Sequence, residues 1–340
     1  MVILGIETSC DETALAILKE NVILADIVSS QYFHELYGGV VPELASRAHL
    51  KIISSLYNEV LKKSNISQTD IDAIAVTYGP GLIGSILVGL NFAKALSYSL
   101  KVPLISINHI EAHLLSVYLE DKKPNIPYIG LVVSGGHTLL VLVQDVFKYK
   151  ILGCTKDDSA GEAYDKVAKM LGLSYPGGPI IDRLAKSGDP KFHKFPMPCK
   201  NSNDFSFSFS GLKTSILYYL RKLKKENPEI NFNSEPFVNN VCASFQESVI
   251  GVLSGKLVEA AKQYNVHNIA VTGGVSANTA LRNRLAQEAQ KNSLNLHIPN
   301  MKYSTDNASM VAMVGKFKYD NNLFSKLNIT ASPNLKLREI

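Results

Sequence analysis

Ile3-Leu-Gly-Ile-Glu-Thr-Ser-Cys-Asp-Glu-Thr-Ala-Leu-Ala-Ile17 is the stretch on which the reading of this chain turns. An apolar run, Val2 to Ile6, stops at the polar loop Glu7 to Thr13, and a second apolar run, Ala14 to Leu18, follows at once. Two short strands joined by a turn rich in Ser, Asp and Thr make a β-hairpin. Its tip offers hydroxyls, backbone N–H groups and the carboxylates of Asp11 and Glu12. N–H groups in such a tip can hold phosphate, and carboxylates can hold a metal. An apolar tip would suggest only a sheet; this polar one suggests a site.

The hairpin has a counterpart. Tyr128-Ile-Gly-Leu-Val-Val133 runs into Ser134-Gly-Gly-His-Thr138 and then Leu139-Leu-Val-Leu-Val143. Each hairpin leads into a third strand, Val22 to Val28 and Tyr149 to Gly153. The pattern reads as a weak internal duplication, two lobes that each open with a phosphate-facing hairpin and clamp a nucleotide. Two ordinary hairpins in unrelated domains are the alternative.

At 340 residues, 46% hydrophobic and 19% charged, the chain is long and apolar enough for one large domain or two ordinary ones. A net charge of +5 permits a polyanionic partner without demanding one. The four cysteines, Cys10, Cys154, Cys199 and Cys242, form no Cys-x-x-Cys pair and fit reduced thiols. No basic segment precedes the first apolar run and Glu7 interrupts it, so a signal peptide is not expected and a cytoplasmic location is. Leu82 to Leu100 contains Asn91 and Lys94 and reads as a buried helix, so no membrane span is expected.

Between the hairpins, strands (Asp72 to Thr77, Val102 to Ile107) alternate with helices (Pro42 to about Lys62, after Gly84 to about Leu100, and about His109 to Leu119). This is an α/β pattern with a partly parallel sheet. Asp121-Lys-Lys-Pro-Asn125 is the expected linker. It divides the chain into an N-terminal lobe, 1–122, a C-terminal lobe, 123–320, with an insertion at about 175–233, and a polar, loosely attached tail, 321–340. The insertion is expected to hold Pro176, Pro190, Pro196, Pro198, the run Phe205-Ser-Phe-Ser-Phe-Ser-Gly211 and one helix, Lys213 to Lys224.

His109-Ile-Glu-Ala-His113 sets two imidazoles at i and i+4, one above the other on a helix, where both reach one ion. The Glu at i+2 lies on another face, so the general base of an H-E-x-x-H zinc protease is missing. Asp306, in Tyr303-Ser-Thr-Asp-Asn307, is a third ligand candidate, with a helix N-cap as its ordinary role. Two His and one carboxylate leave coordination positions open and suit iron, zinc or manganese. Val271-Thr-Gly-Gly-Val-Ser-Ala-Asn278 ends a strand and opens a helix, a setting that favours an anion, with Asn278 able to reach a ribose or base. Neither a P-loop nor a G-x-G-x-x-G fingerprint is present.

Taken in order, these blocks resemble the TsaD family (also called YgjD, Gcp or, in archaea and eukaryotes, Kae) over nearly the whole chain. The resemblance rests on Ile6-Glu-Thr-Ser-Cys-Asp-Glu-Thr13, Gly38-Gly-Val-Val-Pro-Glu-Leu-Ala-Ser-Arg47, Val133-Ser-Gly-Gly-His-Thr138, Tyr175-Pro-Gly-Gly-Pro179, Asp204-Phe-Ser-Phe-Ser-Phe-Ser-Gly-Leu212, Gly273-Gly-Val-Ser-Ala-Asn278 and Ser304-Thr-Asp-Asn307. The Gly38 block looks bacterial or organellar. Ala112 stands where many relatives have Gly, and Ser159 where Ala is frequent.

The resemblance implies a two-lobed actin-like ATPase (ASKHA) fold of ribonuclease H-like duplicated lobes. It also implies transfer of a threonylcarbamoyl group from threonylcarbamoyl-AMP to the N6 amine of the adenosine 3′ of the anticodon (position 37) in tRNAs reading codons that begin with adenine. It makes His109, His113 and Asp306 ligands of one divalent metal, Fe(2+) favoured, Zn(2+) or Mn(2+) as alternatives. Val132, Val133, Ser134, Gly135, Gly136, Asp165, Gly178, Asp182 and Asn278 correspond to residues that bind ATP or threonylcarbamoyl-AMP. Asp11 and Glu12 are the nearest general-base candidates. Partners would be tRNA and homologues of TsaB and TsaE. Basic side chains (Lys213, Arg221, Lys222, Lys224, Lys225, Arg282, Arg284) could neutralise tRNA phosphates, and the Phe205 to Phe209 run could stack bases or pack on the core. Two rivals are a small-molecule kinase of the same fold, which needs no His-His-Asp set, and a non-catalytic binding module, which needs no nucleotide.

Overall fold

The structure, a computed structural model, describes residues 1–200, 202, 204–229, 231–232 and 234–337. In chain order the elements begin β1 (Val2–Glu7), β2 (Glu12–Lys19), β3 (Val22–Ser30), α1 (Pro42–Ser64), β4 (Ala73–Gly79), α2 (Ile83–Leu100), β5 (Leu104–Asn108) and α3 (His109–Leu115). They continue β6 (Tyr128–Val133), β7 (Thr138–Asp145), β8 (Lys148–Cys154), α4 (Ala160–Met170), α5 (Gly177–Ala185), α6 (Ser210–Glu226) and α7 (Glu235–Gln263). The last are β9 (Asn268–Thr272), α8 (Thr279–Lys291), β10 (Asn295–His297) and α9 (Ala308–Asp320).

The chain forms two units. One is Met1–Lys123 joined by the described residues from Pro299 onward; the other is Pro124–Ile298. Each is built on a five-stranded sheet, ordered β3-β2-β1-β4-β5 in the first and β8-β7-β6-β9-β10 in the second. In both, the first three strands are antiparallel and the last two run parallel to the first. The duplicated α/β lobes of an actin-like chain are therefore present strand for strand. The reason lies in the sequence: β1 and β6 are central, buried along their whole length, and carry unbroken apolar runs in place of alternation.

Unit 1 packs α1 and α2 against its sheet together with α9, which arrives from the far end of the chain. The close approach of α9 requires two glycines. A Cβ on Gly5 would lie 2.4 Å from the Ala308 carbonyl oxygen, and one on Gly315 2.4 Å from Ala75 Cβ. Unit 2 is centred on α7, which is buried nearly all round and bears on α5, α8 and β6. α2 and α7 are long and apolar enough to cross a membrane by length and composition alone, and the apolar window of α7 is 89% buried inside the protein.

Three expectations need correction. Residues 299–320, expected in the C-terminal lobe, belong to unit 1, because α9 covers β1, β2 and β4. The tail is not loose in its described part: Ser325 N donates to Leu104 O at 2.8 Å, Ser332 N to Tyr78 O at 2.8 Å, and Leu337 is buried. Residues 338–340 of that tail, and 201, 203, 230 and 233 of the expected insertion, lie outside the described residues. Within the insertion the turn at Tyr175-Pro-Gly-Gly-Pro179 opens a helix, α5, because Pro179 sits in a first turn whose N–H groups need no partner within the helix.

The Phe205 to Phe209 run belongs to the core: Phe205, Phe207 and Phe209 are buried, so the base-stacking alternative falls away. Asp157 holds that run in place. Its carboxylate accepts from Phe209 N (2.8 Å), Ser210 N (3.2 Å), Ser208 Oγ (2.6 Å) and Ser210 Oγ (2.8 Å).

Candidate functional site

In unit 1, β5 ends at Asn108, whose side-chain oxygen accepts from Ile110 N at 2.8 Å and Glu111 N at 3.3 Å and so starts α3. Asn108 is fixed in turn by donating to Lys336 O at 3.0 Å. The i, i+4 spacing then brings His109 and His113 to one face, with ring centroids 4.6 Å apart. The alternative role for Asp306 was a helix N-cap. The cap of α9 is its neighbour Asn307, which accepts from Met310 N at 2.9 Å, and Asp306 faces the histidines. Asp306 Oδ1 lies 2.9 Å from His113 Nε2 and 3.5 Å from His109 Nε2. One ligand atom from each of the three residues falls within 4.8 Å of the others. Glu111 points elsewhere and pairs with Lys318 at 2.7 Å, as its place on the helix demanded.

The donor set fits a divalent cation, and its surroundings strengthen the fit. His109 Nδ1 lies 3.0 Å from Glu7 Oε2 and 3.2 Å from Ser9 Oγ. A carboxylate behind an imidazole accepts from the nitrogen facing it, so the proton stays on Nδ1 and the Nε2 lone pair is turned toward a metal. Glu7 is itself held by Ser9 N at 2.5 Å and Thr77 Oγ1 at 2.6 Å. Burial opposes its charged form, yet His109 and the Thr77 hydroxyl hold its carboxyl below the usual range. Sequence reasoning passed over Glu7, although a fully buried carboxylate closing an otherwise apolar strand was itself a signal.

Burial alone would lower the pKa of His109, but Asp306 and Glu7 outweigh it and raise it to about 9. A metal must displace that proton. Apparent metal affinity should therefore rise with pH, by roughly tenfold per unit for a single proton, and level off above about 9. Chelator competition at several pH values measures this slope, and a flat profile between pH 6 and about 8 would contradict it.

At the hairpin tip, Asp11 and Glu12 are half-buried. Burial, then the charges of Asp306 and Asp11, push the Glu12 carboxyl up to about 10. A carboxyl in that state keeps its proton at neutral pH and is no base, which leaves Asp11 as the base candidate of the pair.

In unit 2 four loops meet through glycines. A Cβ on Gly161 would strike Ser134 O and Gly135, one on Gly177 would strike Tyr164 O and Asp165, and one on Gly273 would lie 2.4 Å from Val133 O. Gly135, Gly136, Gly178 and Gly274 instead border open space, so the loops keep a cradle that side chains would fill.

Val132 and Val133 are buried strand residues behind it. Ser134 N is committed to His137 O at 2.8 Å, so of the Ser134 to Gly136 amides those of the exposed Gly135 and Gly136 are left for a phosphate. Asp165 accepts from Gly177 N at 2.8 Å. Asp182 accepts from Thr279 N at 3.2 Å and from its hydroxyl at 2.9 Å. Asn278 caps α8 through Leu281 N at 2.9 Å and donates to Gln246 Oε1 at 2.6 Å. Both ends of its side chain are thus engaged within the protein.

A family model described as TsaD, tRNA N6-adenosine threonylcarbamoyltransferase, matches residues 22–313. A tRNA N6-adenosine threonylcarbamoyltransferase of Riemerella anatipestifer is 46% identical over 99% of this chain and 98% of its own length. The enzyme of the same description from Christiangramia forsetii is 47% identical over 98% of both chains. That from Clostridioides difficile is 46% identical over 100% of this chain and 99% of its own. Among solved structures, full-length HypF in a phosphate- and nucleotide-bound form superposes with a TM-score of 0.61 at 14% identity. That match covers 95% of this chain and 56% of HypF, and it bears on the fold alone.

Proposed function

Since the chain belongs to the tRNA N6-adenosine threonylcarbamoyltransferase (TsaD) family, we propose that it moves the threonylcarbamoyl group of threonylcarbamoyl-AMP onto the N6 amine of the adenosine 3′ of the anticodon. The observation that carries the residue assignment is the convergence of His109, His113 and Asp306, which a kinase of this fold does not need.

The adenosine amine is a poor nucleophile, whereas the carbamoyl–phosphate anhydride is already activated, so no covalent enzyme intermediate is required. The amine attacks the carbamoyl carbon, the bond to the phosphate oxygen breaks, and AMP leaves. The protein must orient the reactants and stabilise the charge that develops. The exposed amides of Gly135 and Gly136 serve the adenylate phosphate, and the loops fixed by Asp165, Asp182 and Asn278 around Gly178 serve the nucleoside. Asp11 takes the proton that the amine sheds. His109, His113 and Asp306 hold a divalent cation, Fe(2+) favoured over Zn(2+) or Mn(2+), which when bound would supply Lewis-acid stabilisation.

For tRNA, Lys213, Arg282 and Arg284 are already engaged, with Asp158, Ser276 O and Glu247 respectively. The exposed Arg221, Lys224 and Lys225 of α6 remain as the phosphate contacts. The α1–α2 face, where Leu50, Ile53, Leu87, Val88 and Phe92 line an apolar groove, suits a protein partner of the TsaB kind, and a TsaE homologue would complete a bacterial-type complex. The compartment is the cytoplasm.

Incubation of the protein with unmodified tRNA and threonylcarbamoyl-AMP, followed by nucleoside digestion and mass analysis, should yield threonylcarbamoyladenosine. Unmodified adenosine after incubation with the partner proteins present would refute the assignment.

A further inference from the structure

Beneath the Asp11–Glu12 tip lies a group of polar side chains outside the His109, His113 and Asp306 set. Thr13 and His49 are fully buried, His34 is 1% exposed and Gln31 6%. Their hydrogen bonds form two adjoining sets, one about His49 and one about Gln31 and His34. A carbonyl only accepts, so His49 Nε2 donates to Cys10 O at 2.9 Å, which leaves Nδ1 to accept from Thr13 Oγ1 at 2.7 Å. Gln31 N donates to Asp11 O at 3.2 Å, and Gln31 Nε2 to Ala45 O in α1 at 3.3 Å. Gln31 Oε1 accepts from His34 Nε2 at 3.0 Å, and His34 Nδ1 accepts from Val41 N at 3.3 Å, just before α1 begins. Residues 10 and 13 are thus tied to His49, and residue 11 to Gln31.

The arrangement is costly for mere packing. Farther along the buried face of α1, Ile53, Leu56, Tyr57 and Val60 fill the core, whereas His49 brings in an imidazole whose two nitrogens must both be satisfied. Burial lowers the pKa of both histidines, which keeps them neutral and so able to donate and accept at once. We infer that Gln31, His34 and His49 are positioning residues for the transfer reaction, holding the Asp11–Glu12 tip in one geometry against the start of α1. The inference rests on the reading of Asp11 as the base.

The test uses the full chain with its partner proteins, tRNA and threonylcarbamoyl-AMP. His49→Leu fills the volume without hydrogen bonds, whereas His49→Gln restores a neighbouring donor and acceptor. His49→Leu should keep its metal and its KM for tRNA while kcat falls by roughly ten- to a hundredfold, the scale of a small misplacement of a reacting group. His49→Gln should recover most of the loss. A His49→Leu kcat within about twofold of the unsubstituted protein overturns the inference, as does a loss that His49→Gln fails to rescue or that follows lost metal. Asp11→Asn and Glu12→Gln run alongside. If both retain full kcat, the reading of the tip is itself wrong and the inference falls with it; if they are impaired and His49→Leu is not, only the positioning role fails.

Discussion

A His113→Ala protein will lose its bound metal and its transferase activity together. The imidazole is 1% exposed, and its Nε2 lies 2.9 Å from Asp306. Removing it leaves one imidazole and one carboxylate, too few to compete with water for a divalent ion. Substitution of residues that merely support metal ligands typically costs ten- to a hundredfold in affinity or activity, so loss of a ligand should cost on the order of a hundredfold or more in transfer. Elemental analysis of the purified protein and the nucleoside assay read the two quantities separately. Adenylate binding, assigned to unit 2, should survive. A variant that retains stoichiometric metal and full transfer would dissolve the proposed cluster.

The second large effect is expected where no ligand is touched. Gly5→Ala would place a methyl group 2.4 Å from the Ala308 carbonyl oxygen and 2.9 Å from Ala312 Cβ. The first of these is backbone and cannot swing aside, so α9 must lift from β1. Overpacking of this kind costs about 1–3 kcal/mol, or several degrees of melting temperature for a chain of this size. The proposed ligand Asp306 and the cap Asn307 stand immediately before Ala308, so metal affinity should fall with stability. Gly255→Ala is the matched control: its added Cβ meets nothing within 4 Å, and alanine favours the helix. Equal melting temperatures for Gly5→Ala and the unsubstituted protein would show that α9 does not depend on that glycine.

Much of this architecture could be read from local patterns. Unbroken apolar runs announced β1 and β6, and the polar breaks after them announced the tips. The His109–His113 spacing was legible because helical geometry alone puts both rings on one face. What escaped depends on long-range packing. Nothing near Asp306 says which sheet α9 will cover, so the helix was assigned to the wrong lobe. Pro176 and Pro179 looked like breakers because proline reads the same in a turn and in a first helical turn. Glu7 and His49 act through partners 102 and 36 residues away, and no periodicity encodes such pairs.

The return of α9 to the first unit also orders events during synthesis. A ribosome has released the strands of both sheets before it makes Ala308–Asp320. The nascent first lobe therefore waits with β1 uncovered and two of the three proposed ligands in hand, and cannot close until α9 has been made. On the proposed assignment, a cation would be captured only once Asp306 has been added, and products stalled before that residue would lack the third side chain of the set.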